Sequence, residues 1–383
     1  VALPGELMKR FGLRAFAGNF DEAQLREAVH FAHLHHVRVH VTVNTLIKDG
    51  ELAGVLDVLR LLNELRVDAV LVQDLGVARV LRSVCPDLPL HASTQMTCNS
   101  LADVKYWESQ GFDKIVLSRE LSIEEIKHIT ENVDAEIETF VHGAMCMSYS
   151  GRCMLSDHLT GRGGNRGACA QPCRWEYALV EKKRPGEYIP IEEDGRGTYL
   201  LSAYDLCMLH HLPEMINAGI SSLKIEGRMK TEYYVANTVN VYRHALDLLK
   251  DSEEKYLAAL PQLENDLLKA SHRAMNTGFF FGDPRPAAGA NGFSQNMEYV
   301  GRVESFMDGI ATVHLKNRFY VGDTLELLCP EGSKPFRVES IILADTGERV
   351  DTVSVAGQKV LLPLPFPAAE GDFLRGPNRN HKK

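Results

Sequence analysis

The sequence predicts an α/β protein made of a TIM-like (β/α) barrel followed by a small C-terminal all-β barrel. From Val37 onward, short β-branched runs alternate with longer amphipathic stretches, which is typical of βα units around a parallel sheet. The units repeat without the glycine-rich turn of a dinucleotide-binding fold, and this favours a barrel over a doubly wound sheet. After about residue 294 the helical period stops and short strand-like runs follow.

The predicted barrel strands are six short runs rich in apolar and β-branched residues. They cover residues 37–43, 68–73, 88–93, 113–118, 135–143 and 221–228. Amphipathic stretches follow the runs at helical spacing, and Ser122 is placed to cap the helix after the fourth run. We therefore expect most strands to lead into a helix, as in a (β/α) barrel.

The domain boundaries follow from these changes in the pattern of strand-like and helical runs. We assign residues 1–285 to the barrel, with a cysteine-rich insertion at 142–198, residues 286–294 to a linker, and residues 295–383 to the C-terminal β-barrel. The insertion directly follows a predicted strand, where barrel enzymes place their chemistry. A loop of this length in a compact domain is usually functional.

Composition excludes several classes of protein. With 45% hydrophobic and 24% charged residues the chain has the profile of a folded protein rather than a disordered one. It contains no apolar run long enough to span a membrane and no recognisable secretion signal, so we expect a cytoplasmic protein without a membrane partner. The net charge of −9 argues against a protein that coats nucleic acid, although a local basic site remains compatible with it.

Four cysteines point to a metal site. Cys146, Cys153, Cys169 and Cys173 are separated by six, fifteen and three residues. Four thiolates form a closed shell for zinc or for an iron–sulfur cluster, and the intervening GRGGNRG favours a cluster whose sulfurs are approached by backbone amides. Cys207 is a weaker candidate that could replace Cys173. Scattered buried cysteines are the alternative.

The same region carries a family resemblance. The run ETFVHGAMCMSYSGRCMLSDHLTGRGGNRGACAQPCRWEY (138–177) resembles the signature of the U32 family, also called collagenase-like peptidases. The runs STQMTCNS (93–100), SRELSIEEI (118–126) and SLKIEGRMK (222–230) resemble its other landmarks. Family chains begin with a strand and helix that lie before the start of this sequence, so we expect the first unit of the barrel to be truncated.

The resemblance implies a function. The family members that it fits best, including the C-terminal β-domain, act in prephenate-dependent, oxygen-independent hydroxylation of the tRNA wobble uridine to 5-hydroxyuridine. Carried over by position, it implies a 4Fe-4S cluster on Cys146, Cys153, Cys169 and Cys173, with tRNA and prephenate, or a similar small dicarboxylate, as partners. The alternatives are a U32-type peptidase, or an iron–sulfur scaffold that acts with a partner subunit.

Four arginines make the cysteine segment locally basic. Arg152, Arg162, Arg166 and Arg174 accompany Asp157, the single acidic residue between Cys146 and Trp175. The arginines are candidates for binding RNA phosphates or a dicarboxylate such as prephenate, because a guanidinium binds such groups in bidentate fashion. The alternative is that they balance the charge of an anionic cluster.

Three ionisable residues alternate along the last predicted barrel strand. The two-residue period of a strand puts Lys224, Glu226 and Arg228 on one face. Glu226 is a candidate general base, and Lys224 or Arg228 a candidate anion anchor. An internal ladder of ion pairs is the alternative.

Three further residues are candidates because of their positions on strands. Glu138 and His142 lie on the strand that leads into the cysteine segment, and we count both as candidate catalytic residues. His91 ends another predicted strand beside Ser93 and Gln95 and is a candidate substrate-binding residue.

Overall fold

The computed structural model describes residues 20–146, 148–175, 178–180, 188–190, 204–228, 230–282 and 294–379. Contacts divide the chain into two compact units, Val1–Glu226 with Met275–Asn291, and Gly227–Ala274 with Gly292–Lys383. The expected truncation falls on residues outside the described ranges, as does the predicted linker apart from Ser294.

The first unit is built from βα units. Its helices are α1 (Glu22–Leu34), α2 (Leu52–Glu64), α3 (Leu75–Val84), α4 (Leu101–Ser109), α5 (Ile123–Thr130), α6 (Leu155–Thr160) and α7 (Leu212–Asn217). Its strands are β1 (His40–Val43), β2 (Ala69–Val72), β3 (Leu90–Ala92), β4 (Lys114–Val116), β5 (Glu136–Ala144), β6 (Ala178–Val180), β7 (Tyr188–Pro190), β8 (Asp205–Cys207), β9 (Ser222–Glu226) and β10 (Met275–Asn276).

The main sheet of this unit has the order β1-β2-β3-β4-β5-β8-β10, and β9 also pairs with β5. Strands β1 to β5 are parallel neighbours in sequence order, and β9 joins β5 in parallel. The predicted α/β class and TIM-like arrangement are confirmed. The antiparallel pairing of β8 with β5 departs from the simple repeat.

The helices of this unit begin where the sequence supplies caps. Ser122 accepts a hydrogen bond from the backbone amide of Glu125, whose side chain in turn accepts from the amide of Ser122. This reciprocal arrangement satisfies two amides that the first helical turn leaves unpaired. Asp74 caps α3 in a related way through the amide of Val77.

The second unit combines two helices with antiparallel strands. The helices are α8 (Glu232–Asp251) and α9 (Glu253–Leu267). The strands are β11 (Met297–Met307), β12 (Ile310–Leu315), β13 (Phe319–Tyr320), β14 (Thr324–Cys329), β15 (Gly332–Arg337), β16 (Ile341–Leu343), β17 (Arg349–Val350), β18 (Thr352–Val353), β19 (Lys359–Pro363) and β20 (Phe373–Pro377). Their pairings are antiparallel, so the predicted all-β character of the C-terminal region is confirmed.

One buried arginine joins the helix pair to the strands of the second unit. Arg375 on β20 is fully buried and donates to Asn237 on α8, to Glu326 on β14 at 2.8 Å, and to Asp266 on α9 at 3.3 Å. A buried guanidinium needs this number of acceptors because an unpaired charge in the interior is costly. Helices α8 and α9 therefore pack with the C-terminal strands as one unit.

In the part of the chain that the structure describes, no helix is both long and apolar enough to cross a membrane.

Candidate functional site

Polar side chains follow directly after strands β1 to β4. Asn44, Gln73, Ser93, Thr94 and Ser118 are all buried, and we call them the polar rim. The Asn44 amide donates to the Ser93 hydroxyl at 3.0 Å, and Gln73 donates to the backbone carbonyl of Asn44. The carboxyl ends of parallel barrel strands meet at one face, which is where such folds hold substrates. The polar rim therefore lies where a substrate-binding site is expected in this fold.

The cysteine-rich segment, residues 146–175, is attached to the loops that follow β3 and β4. The hydroxyl of Thr97 donates to the carbonyl of Ser150 at 2.6 Å and accepts from Nε of Arg152 at 3.0 Å. Oε1 of Glu120 accepts from the amide of Ser150 at 3.2 Å. These bonds hold the segment at the end of the barrel where the polar rim lies.

Two further contacts fix the same segment. Gly151 has φ of +79°, and a Cβ there would lie 2.3 Å from the backbone oxygen of Gln95, so only glycine fits without a shift. Arg166 donates to the carbonyl of Leu46 and to Oε1 of Glu51, both at 2.8 Å. The segment is thus anchored after β1, β3 and β4.

The four predicted ligand cysteines are free thiols on this segment. Cys146 and Cys169 are exposed, whereas Cys153 and Cys173 are partly buried. The amide of Gln171 lies 3.3 Å from the sulfur of Cys169, which is the kind of contact that stabilises an anionic sulfur. Among the described residues, however, no three His, Cys, Asp or Glu side chains are grouped closely enough to hold a metal ion. The donor chemistry suits a cluster, but the side chains as placed do not form its ligand shell, and the assignment stays a prediction.

Cys207 and His142 lie outside the cysteine-rich segment, on two strands that pair with each other. His142 is almost fully buried on β5, and its backbone is opposite Cys207 on β8 in the antiparallel register. Cys207 is partly buried. The proposed exchange of Cys207 for Cys173 also stays a prediction.

The predicted substrate-binding arginines have partners within the protein. Arg152 and Arg166 hold the segment to the barrel loops, and Nε of Arg162 donates to the carbonyl of Ala168 at 3.0 Å. The side chain of Arg174 lies outside the described residues. In this structure the three described arginines thus stabilise the segment.

A row of paired charges crosses strands β4, β5 and β9. Glu138 is buried and accepts from Lys224 at 2.6 Å and from the hydroxyl of Ser222 at 2.9 Å. Lys114 lies 2.9 Å from Glu136 and 3.9 Å from Glu138. Burial alone would raise the pKa of Glu138, but Lys224, Ser222 and Lys114 together hold that pKa below its usual value. The sequence left open whether Lys224 takes part in an internal ladder of ion pairs, and its pair with Glu138 shows that it does.

Glu226 has a different environment two residues further along β9. Its carboxylate lies 3.7 Å from Arg119, whose guanidinium stacks 3.6 Å from the centroid of the Phe140 ring. Gly143 allows β5 and β9 to approach here, because a Cβ on it would lie 2.3 Å from the backbone oxygen of Glu226. Arg228 comes two residues after this strand, in the second unit.

His91 is buried beside a second histidine. The rings of His91 and His40 meet edge to face at 4.9 Å between centroids. Burial, with the nearby His40 and Lys114, lowers the pKa of His91 to about 4, so this ring is neutral at pH 7. A neutral imidazole can donate one hydrogen bond and accept another, which suits a polar ligand better than an anion.

Arg119, Thr97 and Glu120 were not among the residues singled out from the sequence. All three lie in the landmark runs 93–100 and 118–126, directly after β3 and β4. Their position after two predicted parallel strands is the signal that could have found them.

Both parts of the chain match known protein families. Residues 7–289 match Peptidase family U32, and residues 295–375 match the Peptidase family U32 C-terminal domain. The chain belongs to peptidase family U32. The resemblance inferred from the four sequence runs is thereby confirmed.

Several relatives in this family are named for RNA hydroxylation. The chain is 36% identical over 328 residues to tRNA hydroxylation protein P1 of Bacillus subtilis, covering 84% of this chain and 77% of that protein. It is 33% identical over 401 residues to tRNA hydroxylation protein P of Escherichia coli, covering 93% and 87%. It is also 36% identical over 269 residues to the 23S rRNA 5-hydroxycytidine C2501 synthase of E. coli, covering 70% and 40%.

Proposed function

We propose that this U32 protein is an enzyme that hydroxylates the wobble uridine of tRNA to 5-hydroxyuridine, with prephenate as co-substrate and a 4Fe-4S cluster as cofactor. The observation that carries the proposal is the similarity to tRNA hydroxylation proteins over most of the chain. The match to an rRNA hydroxycytidine synthase supports hydroxylation of a pyrimidine as the shared chemistry.

The end of the barrel offers residues for such a reaction. The polar rim supplies neutral donors and acceptors that suit the edge of a uracil ring, and Glu226 with Arg119 supplies a carboxylate and a cation close by. We assign Glu226 the role of general base and Arg119 that of its ion-pair partner. Lys224 is committed to Glu138, so we assign it a structural role.

The overall reaction can be written as a balanced exchange. A C5–H bond of uracil and a C–OH bond of the co-substrate break, while a C5–OH bond and a C–H bond of the co-substrate form. The base is oxidised by two electrons and the co-substrate is reduced by two, so no oxygen molecule is needed. This stoichiometry is part of the proposal.

The experiment is to express the chain in bacteria that lack their own tRNA hydroxylation proteins and to measure 5-hydroxyuridine in digested tRNA by mass spectrometry. We expect the nucleoside to appear with the wild-type chain and to fall at least about tenfold with Glu226→Gln, because general-base catalysis contributes that much or more. Lys359→Gln, in an exposed pair with Glu304 on the C-terminal domain, is the control. Absence of 5-hydroxyuridine with a folded wild-type chain would refute the proposal.

Co-substrate and cofactor need separate tests. In a host that cannot make prephenate, the modification should disappear and should return when prephenate is supplied. Anaerobically purified protein should contain about four irons and four sulfides, and serine at any true ligand among Cys146, Cys153, Cys169 and Cys173 should remove them. Serine at Cys98, a buried thiol outside the segment, should leave iron unchanged. A colourless, iron-free wild-type protein would remove the cluster from the proposal.

A further inference from the structure

A basic surface surrounds Tyr320 on the second unit, far along the chain from the cysteine-rich segment. The guanidinium carbon of Arg379 lies 4.3 Å from the centroid of the Tyr320 ring, and that of Arg318 lies 6.0 Å from it. Nη2 of Arg337 lies 3.9 Å from the position that a Cβ on Gly322 would take. We call Arg318, Arg337, Arg379 and Tyr320 the arginine surface.

The backbone under this surface is well supported. Strand β13 pairs with β18, and Phe319 is buried in the domain core while its neighbour Tyr320 is only partly buried. The carboxylate of Asp323 accepts from the amide of Tyr320 at 2.8 Å and also pairs with Arg379. The ring and this carboxylate hold the Arg379 guanidinium in place before any ligand arrives, which lowers the entropy cost of binding there.

The charge around Tyr320 is positive on an acidic protein. The stretches 316–323, 337–339 and 349–353, with Arg379, contain five cations and three carboxylates, whereas the whole chain has a net charge of −9. Two of the five cations pair with carboxylates, Arg379 with Asp323 and Lys316 with Glu232 of α8. A polyanion would be repelled by most of the protein, so it would bind where cations are concentrated.

We propose that the arginine surface binds the phosphate backbone of the substrate RNA, as a second contact apart from the barrel site. The inference rests on the proposed function, because it takes RNA as the substrate. Exposed arginines suit this role, since a planar guanidinium forms paired hydrogen bonds to phosphate oxygens. Contacts to phosphates fix the position and register of an RNA without reading its sequence.

The test uses the full chain and a fluorescently labelled, unmodified tRNA transcript, with binding followed by anisotropy between about 50 and 200 mM salt. The variant is Arg318→Gln with Arg337→Gln, which leaves the Arg379–Asp323 pair intact. The control is Lys334→Gln with Lys359→Gln, which removes the same charge from side chains paired with Glu331 and Glu304. Thermal unfolding confirms that each variant is folded.

We expect the arginine variant to bind at least about tenfold more weakly at low salt. The plot of log affinity against log salt has a negative slope, and the magnitude of this slope should decrease by roughly 1.4 to 1.8, the value for two lost phosphate contacts. The control should retain the wild-type affinity and slope. Equal losses in both variants would mean that only net charge matters and would overturn the proposal, as would wild-type binding by the arginine variant.

The two proposals fail separately. If the wild-type chain makes 5-hydroxyuridine and the arginine variant binds tRNA normally, the second contact is wrong and the function stands. If the arginine variant loses affinity and the wild-type chain makes no 5-hydroxyuridine, the surface binds RNA and the proposed reaction is wrong.

Discussion

Removing Lys224 should destabilise the first unit strongly, because it leaves Glu138 buried without its closest cation. Lys224→Met keeps most of the apolar stem and deletes the charge that lies 2.6 Å from Glu138. Breaking a buried ion pair on one side costs about 3–5 kcal/mol. Ser222 at 2.9 Å and Lys114 at 3.9 Å remain as partners, so we expect a loss in unfolding free energy of about 2–4 kcal/mol at pH 7.

The pH dependence gives this prediction its specific signature. In the wild type the pKa of Glu138 lies below its usual value, so its stabilising effect is present above pH 4.5 and is lost as the pH falls through the folded-state pKa. In Lys224→Met, burial becomes the dominant influence and should raise that pKa above its usual value. Protonation of Glu138 then removes the buried unpaired charge from the variant. The difference in unfolding free energy between Lys224→Met and the wild type should therefore shrink as the pH falls from 7 to 5.

Urea unfolding followed by tryptophan fluorescence measures the unfolding free energy of the first unit, because both tryptophans, Trp107 and Trp175, lie in it. Lys255→Met is the control, because Lys255 pairs with Asp251 on the surface with both side chains about 60% exposed; it should cost less than about 1 kcal/mol. The double variant Lys224→Met with Glu138→Gln should recover part of the loss. Equal effects of Lys224→Met and Lys255→Met at pH 7 would refute the reasoning.

Three further changes have defined outcomes in the same unfolding assay or its circular-dichroism equivalent. As the pH falls from about 6.5 to 4, the wild type should lose stability because His91 binds a proton in the unfolded chain but not in the folded one. His91→Gln should remove this loss, which amounts to about 3 kcal/mol of unfolding free energy at most. An unchanged dependence of stability on pH would contradict the prediction. Gly143→Ala should cost about 3 kcal/mol or more, since its Cβ would meet the backbone of Glu226 at φ of +109°, whereas Gly347→Ala, with open space around it and φ of +72°, should cost about 1–2 kcal/mol. Arg375→Met should cost about 3–5 kcal/mol by removing one of the two cations that Asp266 and Glu326 share. A loss below about 1 kcal/mol would show that the other cation, Lys269, alone satisfies both carboxylates.

Strands that are long or strongly apolar could be predicted from the sequence. The runs at 68–73 and 113–118 contain β2 and β4, because buried parallel strands are nearly continuous in apolar residues. Strand β8 begins at Asp205 and β10 has only two residues, so neither forms a continuous apolar run, and neither was predicted. Their presence depends on pairing with β5 and with each other.

The candidate site could be predicted only in part. The two-residue period predicts Lys224 and Glu226 on one face of β9, but it does not reveal their partners. Glu138 meets Lys224 because β5 and β9 pair with Glu138 opposite Ser222, and Arg119 reaches Glu226 from the loop after β4. Such pairings depend on the register between strands that are distant in sequence, which a single sequence does not contain.

The buried arginine of the second unit also sets an order of events during synthesis. Asp266 and Asn237 leave the ribosome long before Arg375, and 109 residues separate Asp266 from the side chain that completes their hydrogen bonds. At about 5–20 residues per second, the helix pair α8–α9 waits roughly 5–20 s for that partner. During this interval Tyr233, Tyr234 and Ala270 lack Tyr299 and Leu328, the later residues of the cluster they form, so the newly made helical hairpin is open to chaperones or to aggregation.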